Sequence, residues 1–214
     1  MALGNIISPI VEAEPTPTPK PQILWPTMVL GDQGYIEGDL KWFPEDDSYR
    51  ERFNRGMGGA VSRAFRDAVR VARQRVWLLD EYLLGDDPSR DQLWDLFYDT
   101  GASDIRVVTA SNDGADERAR SLKELEPALQ ARAPGPPPQI KIYLNLKKPM
   151  KGLPEIHDRF AIIDDVLWHC GATVGGLHHQ INAMTFGWSA EGTRAAEFFN
   201  RICKLLDQDN GRTV

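Results

Sequence analysis

The chain has 214 residues, of which 42% are hydrophobic and six are tryptophans, and this suffices for one domain with a sizeable core, with or without an appendage. The net charge of −6 argues against a broadly basic surface that coats nucleic acid, although it leaves room for a local cationic site. The chain does not open on a basic region followed by an apolar one, and no apolar run approaches the roughly 20 residues of a membrane span. We therefore expect a cytoplasmic protein with no membrane partner.

The first 59 residues are predicted to lie outside the main domain. Residues 1–22 contain the run Glu-Pro-Thr-Pro-Thr-Pro-Lys-Pro, and alternating prolines favour an extended arm or linker that could also dock on a protein partner. Residues 23–59 carry aromatic side chains between Gly and Pro, which indicates an irregular segment or short strands packed on the core. The domain itself is predicted over residues 60–207, with a polar tail over 208–214.

Helical and strand patterns alternate through that domain. An apolar face with three- and four-residue spacing predicts helices, and short apolar runs predict strands. Such alternation favours an α/β layered fold, with a mixed, mostly parallel sheet flanked by helices. The predicted helices cover 60–75, a stretch opened by the capping box Ser89-x-x-Gln92, 115–132 and 193–207; the predicted strands cover 76–79, 105–110, 140–144 and 184–188.

Polar side chains follow the first of these strands directly. Asp80, Glu81 and Tyr82 stand at its C-terminal end, where open α/β sheets present functional groups. Asp80 could orient a catalytic group there, and it could equally cap a nearby loop.

Two cysteines are too few for a disulfide framework or a clustered zinc site. Cys170 ends a predicted strand and Cys203 lies on the apolar face of the last helix. Both are predicted to be buried free thiols in a reducing compartment. No metal or other cofactor is expected.

The chemistry-bearing stretch is 156–176. Apolar runs at 160–163 and 166–168 are separated by Asp164-Asp165, which predicts a β-hairpin. His157 and Arg159 are two apart, so on a strand they point the same way, and a histidine beside a fixed cation suits a phosphate. Alternatively, His157 simply ends a strand and Arg159 pairs with a neighbouring aspartate.

Two flanking features could serve the same ligand. Gly171 follows the second strand, where a backbone can approach a ligand closely. Lys147, Lys148 and Lys151 form a cationic loop just before the hairpin, and such a loop would steer and hold a phosphodiester. The loop could also be an ordinary solvated surface.

The spacing of these residues resembles a known signature. His157-x-Arg159, four residues, Asp164, six residues and Gly171-Ala172-Thr173 resemble the phospholipase D superfamily pattern His-x-Lys-x4-Asp followed by a glycine pair or Gly-Ser. The form is similar to that of a bacterial branch linked to mobile elements and phage defence. The sequence differs from the pattern in the arginine, in Ala172 and in lacking the downstream asparagine and glutamate of the family's nucleases.

The resemblance implies metal-independent hydrolysis of phosphodiesters. His157 would be either the nucleophile that forms a phosphohistidine or the general acid, Arg159 would take the lysine's place, Asp164 would be the motif carboxylate, and Thr173 would lie near the phosphate. Because the sequence has one such motif, two chains would have to supply the two histidines, as in a twofold homodimer. The functions that remain open are a nuclease, a catalytically degenerate module that dimerises and binds nucleic acid or a protein, and, third, a lipid phosphodiesterase.

Overall fold

A computed structural model of the chain describes residues 20–31, 34–40, 61–84, 91–110, 115–132, 138–144, 146, 155–176 and 182–208. The Pro-rich run up to Pro19, the lysine loop at 147–151, the capping box at 89–92 except for its last two residues, and the tail from 209 lie outside the described residues. The arm, the lysine site and the domain boundaries therefore stay predictions.

The described strands form one eight-stranded sheet in the order β2-β1-β8-β7-β6-β3-β4-β5. The strands are β1 (Gln22–Gly31), β2 (Gly34–Leu40), β3 (Arg75–Leu79), β4 (Asp104–Val108), β5 (Gln139–Tyr143), β6 (Phe160–Ile163), β7 (Val166–Cys170) and β8 (Met184–Ser189). The predicted α/β class with a mixed sheet and flanking helices is confirmed.

Parallel pairing is confined to one part of that sheet. β3 pairs with β4, and β4 with β5, in parallel, whereas the pairs from β3 through β6, β7, β8 and β1 to β2 are antiparallel. The expectation of a mostly parallel sheet was wrong in this respect. The reason is that the hairpins at β1–β2 and β6–β7 need only tight turns, while each parallel pair needs a helical crossover.

Helices cover both faces of the sheet. One core layer packs four helices against it: α1 (Arg63–Val71), α2 (Asp91–Tyr98), α3 (Ala115–Lys123) and α4 (Glu126–Arg132). The other layer packs α5 (Ala195–Gln208), and there Phe199 stacks on Trp77 with ring centres 5.1 Å apart. Residues of β3 alternate between the layers, since Val76 and Leu78 face the first and Trp77 and Leu79 face the second.

Two predicted helices are shorter than their patterns suggested. The helix predicted over 60–75 begins after Ser62, whose hydroxyl accepts from the Phe65 amide, and ends at Val71 because Ala72 is extended. The stretch predicted over 115–132 is two helices, α3 and α4, separated by a turn at residues 124–125.

Both cysteines are buried free thiols, as predicted. Burial raises the pKa of Cys170 to about 12 and that of Cys203 to about 11. None of the helices in the described residues combines the length and the apolar character that crossing a membrane requires.

Candidate active site

The His-x-Arg pair lies where the parallel and antiparallel parts of the sheet meet. Residues 155–159 have no regular secondary structure and lead into β6, and the Arg159 carbonyl accepts from the Cys170 amide at 2.9 Å. Because β6 runs antiparallel to β3, with Phe160 opposite Leu79, its start lies beside the C-terminal end of β3. This register brings residues 157–159 next to Asp80 and Glu81.

Glu81 is the side chain that His157 and Arg159 share. Its Oε1 lies 3.9 Å from Nδ1 of His157 and 3.9 Å from NH2 of Arg159. The side chain of Glu81 is only 6% exposed, whereas that of His157 is 73% exposed. The pair therefore points the same way, as the spacing predicts, and meets a carboxylate that the sequence pattern did not single out for this role.

Tyr82 adds an aromatic ring to the cluster. A hydrogen bond from its hydroxyl to Glu81, and then the negative charge of Glu81, raise the pKa of Tyr82 above its ordinary value. The guanidinium carbon of Arg159 lies 4.9 Å from the centre of the Tyr82 ring, which is cation–π geometry.

Asp80 connects three parts of the site. It is fully buried, and its carboxylate accepts from the amide of Tyr82 and from the amide of Val174, each at 2.9 Å. Nε of Arg159 lies 3.8 Å away. Asp80 thus caps the turn after β3, as one of the two sequence-based alternatives predicts, and also holds the segment after β7. That it orients a catalytic group stays a prediction.

Arg159 is held by charge more than by hydrogen bonds. Its contacts at 3.8 and 3.9 Å are longer than an N–H···O bond, and its buried Nε has no hydrogen-bond partner in the described residues. Arg159 pairs with Asp80 and Glu81, and neither Asp158 nor Asp164 is its partner among the ion pairs of the described residues.

Carboxylates also border the exposed side of the histidine. Oε1 of Glu155 lies 3.9 Å from Nε2 of His157, and the Glu155 side chain is 60% exposed. Asp80, Glu81 and Glu155 together outnumber Arg159 in charge. A phosphate at His157 would therefore need cations beyond those in the described residues.

The remaining residues of the signature lie apart from this cluster. Asp164 is in the turn at the far end of β6, and its carboxylate accepts from the backbone amides of Arg73, Gln74 and Arg75 at 2.7 to 3.2 Å. Its φ of 50° is left-handed. Asp164 therefore fixes the hairpin to the turn between α1 and β3.

The glycine-rich stretch after β7 packs against backbone. The Gly171 amide donates to the Ala183 carbonyl at 2.9 Å, and a Cβ at Gly171 would lie 3.1 Å from that oxygen. Thr173 is buried, with 2% exposure. Gly171 therefore approaches the backbone of Ala183 closely. Thr173 is buried next to Val174, whose amide is bonded to Asp80.

A second histidine stands on the other face of the hairpin. Nε2 of His169 lies 2.6 Å from Oδ1 of Asp158, and both side chains are about half exposed. His169 is opposite Phe160, which faces α5, so it is separated by the sheet from the cluster around Glu81. The sequence analysis did not single out His169. Its pairing opposite Phe160 puts both side chains on the same face of the sheet.

The fold is similar to those of three solved structures at low identity. One is TrmBL2, an archaeal chromatin protein described as showing a novel mode of DNA binding, with 10% identity and a TM-score of 0.42 over 71% of this chain and 49% of that chain. Another is phosphatidylserine synthase of Haemophilus influenzae Rd KW20, with 11% identity and a TM-score of 0.45 over 74% of this chain and 41% of that chain. The third is the phospholipase D family member Nuc of Salmonella typhimurium, with 13% identity and a TM-score of 0.42 over 71% of this chain and 88% of that chain. The chain spans less than half the length of the first two. No protein-family model matches the sequence, and no curated protein does.

Proposed function

We propose that the protein is a phosphodiesterase, and specifically a nuclease, whose nucleophile is His157. The observation that carries the proposal is that an exposed histidine and a mostly buried arginine both lie 3.9 Å from one buried carboxylate, at the C-terminal end of β3. A histidine of this kind has a free nitrogen for attack, and a guanidinium can bind two phosphoryl oxygens at once. The resemblance of the signature supports the same chemistry and a place in phage defence or mobile-element biology.

The reaction proceeds in two displacements. Nε2 of His157 attacks phosphorus, a P–N bond forms, and the bond to the leaving oxygen breaks while a second histidine supplies that oxygen with a proton. The second histidine then takes a proton from water, whose oxygen attacks phosphorus and releases His157. Arg159 stabilises the charge on the phosphoryl oxygens in both steps.

Because the sequence has one such motif, the second histidine of the proposed reaction would be His157 of another copy of the chain. His169, the other histidine within the described residues, lies on the opposite face of the sheet and is engaged with Asp158. A twofold dimer would bring two such clusters to one phosphate. Thr173, Gly171 and the lysines Lys147, Lys148 and Lys151 stay proposed contributors to phosphate binding.

One observation favours the alternative, a degenerate module that binds without cutting. The charge of Arg159 is already opposed by Asp80 and Glu81, so a phosphate must compete with two carboxylates for it. What supports catalysis nonetheless is the length of those contacts, because a guanidinium without hydrogen bonds to its neighbours can turn to a ligand at small cost.

The test is cleavage of single- and double-stranded DNA and RNA by the full chain, with EDTA present. We expect cleavage by the wild-type protein, a loss of at least about 1,000-fold in His157→Ala, and little change in His169→Asn, which alters an exposed histidine of the same hairpin. Uncut but bound nucleic acid would replace the nuclease by the binding module. Release of headgroups from phospholipid vesicles without nuclease activity would make the substrate a lipid.

A further inference from the structure

We propose that Glu81 is the positioning residue of His157, holding the proton on Nδ1 so that Nε2 keeps its lone pair for attack. This inference rests on the proposed function. It assigns the orienting carboxylate to the end of β3, far from His157 along the chain. The sequence lacks the glutamate that nucleases of the resembled family carry downstream of the histidine.

Glu81 has the fixed position that such a role needs. Its carbonyl accepts from the Ala110 amide at 3.2 Å, which joins the turn after β3 to the end of β4. Its carboxylate is buried and accepts a hydrogen bond from the Tyr82 hydroxyl, and Arg159 lies within 3.9 Å as a countercharge. A carboxylate tied in this way cannot swing out to solvent, so it presents one oxygen to the ring in a constant direction.

The geometry needs one small movement. Nδ1 of His157 is 3.9 Å from Glu81, and a shift of roughly 1 Å makes a hydrogen bond. Such bonds commonly tighten when a substrate binds. The Nδ1 proton then donates to Glu81, which selects the tautomer that has Nε2 unprotonated. When phosphorus is attached to Nε2, the ring becomes positively charged and the same carboxylate stabilises it.

Glu155 is the natural comparison. It lies at the same 3.9 Å from the ring, but beside Nε2 and with 60% of its side chain exposed. A carboxylate this close to Nε2 would repel the oxygens of an approaching phosphate. Replacing either glutamate by glutamine removes one charge 3.9 Å from the ring, so Glu155→Gln serves as the matched control for Glu81→Gln.

The first experiment observes the ring directly. In ¹⁵N-labelled full-length protein, with the His157 signals assigned by their loss in His157→Ala, the nitrogen shifts report the tautomer of the neutral ring. We expect the Nδ1–H form in the wild-type protein and in Glu155→Gln, and a shift to the Nε2–H form in Glu81→Gln. A tautomer that is unchanged in Glu81→Gln overturns the inference.

The second experiment uses turnover. Glu81→Gln should lose about 100-fold in kcat with KM changed less than about threefold, whereas Glu155→Gln should keep kcat and lower KM. Tyr82→Phe, which leaves the carboxylate in place, should lose less than Glu81→Gln. If His157-dependent cleavage survives unchanged in Glu81→Gln, the inference fails and the proposed function stands. If the tautomer depends on Glu81 but the wild-type protein cuts nothing, the proposed function fails and Glu81 still positions the ring.

Discussion

At the scale of single residues, Arg159 shows what an arginine can do at a position where the resembled pattern has a lysine. Lysine carries its charge at one point, whereas the planar guanidinium reaches two carboxylates and the ring of Tyr82 together. Its fork can equally grip two oxygens of one phosphate. Under the proposed function, Arg159 would therefore exchange its contacts with Asp80 and Glu81 for contacts with the phosphate.

Cys170 gives a residue-scale prediction about pH. Its pKa is 9.0 in an unfolded chain and about 12 in the folded protein because the thiol is buried. The folded state thus keeps a proton that the unfolded state loses, and the stability contributed by Cys170 is complete below pH 9 and is lost as the pH rises toward 12.

We expect the free energy of unfolding, measured with urea, to fall more steeply between pH 9 and 11 in the wild-type protein than in Cys170→Ala. Between pH 7 and 8 the difference in unfolding free energy between the two proteins should be constant, since the Cys170 thiol is then protonated in both the folded and the unfolded state. Parallel curves over the whole range would contradict the assigned cause.

At the scale of elements, Asp164 decides how the hairpin is mounted. The carboxylate caps three amides just after α1, which the sequence pattern read as helical through residue 75. The helix therefore ends early because a carboxylate about 90 residues away along the chain satisfies those amides. These amides bond to a distant side chain instead of to the preceding turn of the helix. Such a tertiary contact cannot be predicted from the local sequence pattern.

Removing the Asp164 carboxylate should destabilise the protein without removing a contact to His157 or Arg159, the proposed catalytic residues. Asp164→Ala loses three accepted hydrogen bonds and keeps an unfavourable left-handed backbone, so we expect a loss of about 2–4 kcal/mol. Asp164→Asn keeps an acceptor and a residue tolerant of that backbone, and should lose about 1 kcal/mol.

Urea unfolding measures both changes, with Asp67→Asn on the exposed side of α1 as the control expected within about 0.5 kcal/mol of wild type. A similar loss in Asp164→Ala and Asp164→Asn would argue against the amide cap. Full cleavage per folded molecule is expected in both variants.

The sequence predicted most of the fold because alternation and turn residues act locally. The hairpin turn at Asp164-Asp165, the shared direction of His157 and Arg159, and the burial of both thiols all depend on neighbours along the chain. The contact with Glu81 depends on the register of β6 against β3, which is set by packing between distant segments. For that reason the orienting carboxylate was visible in the sequence only as a polar residue at a strand end.

At the scale of the whole molecule, a site shared between two chains leads to a quantitative prediction for dimers of mixed subunits. If one phosphate needs His157 from two chains, an equal mixture of wild-type and His157→Ala chains, exchanged to equilibrium, has two histidines in about a quarter of its dimers. Activity should then fall to about a quarter, whereas independent sites would keep about half. A monomer by sedimentation, with full activity, would contradict the shared site.

The position of the cluster between β3 and β6 also has a consequence for how the protein folds. His157 and Arg159 belong to a hairpin that closes through near neighbours, while Asp80 and Glu81 follow a strand whose partner β4 is reached through a crossover. Contacts between segments so far apart in sequence form late, because a long loop must close first. We expect the catalytic groups to assemble only when these two halves join, so that activity returns during refolding with the slowest phase, after most of the helical signal has been regained.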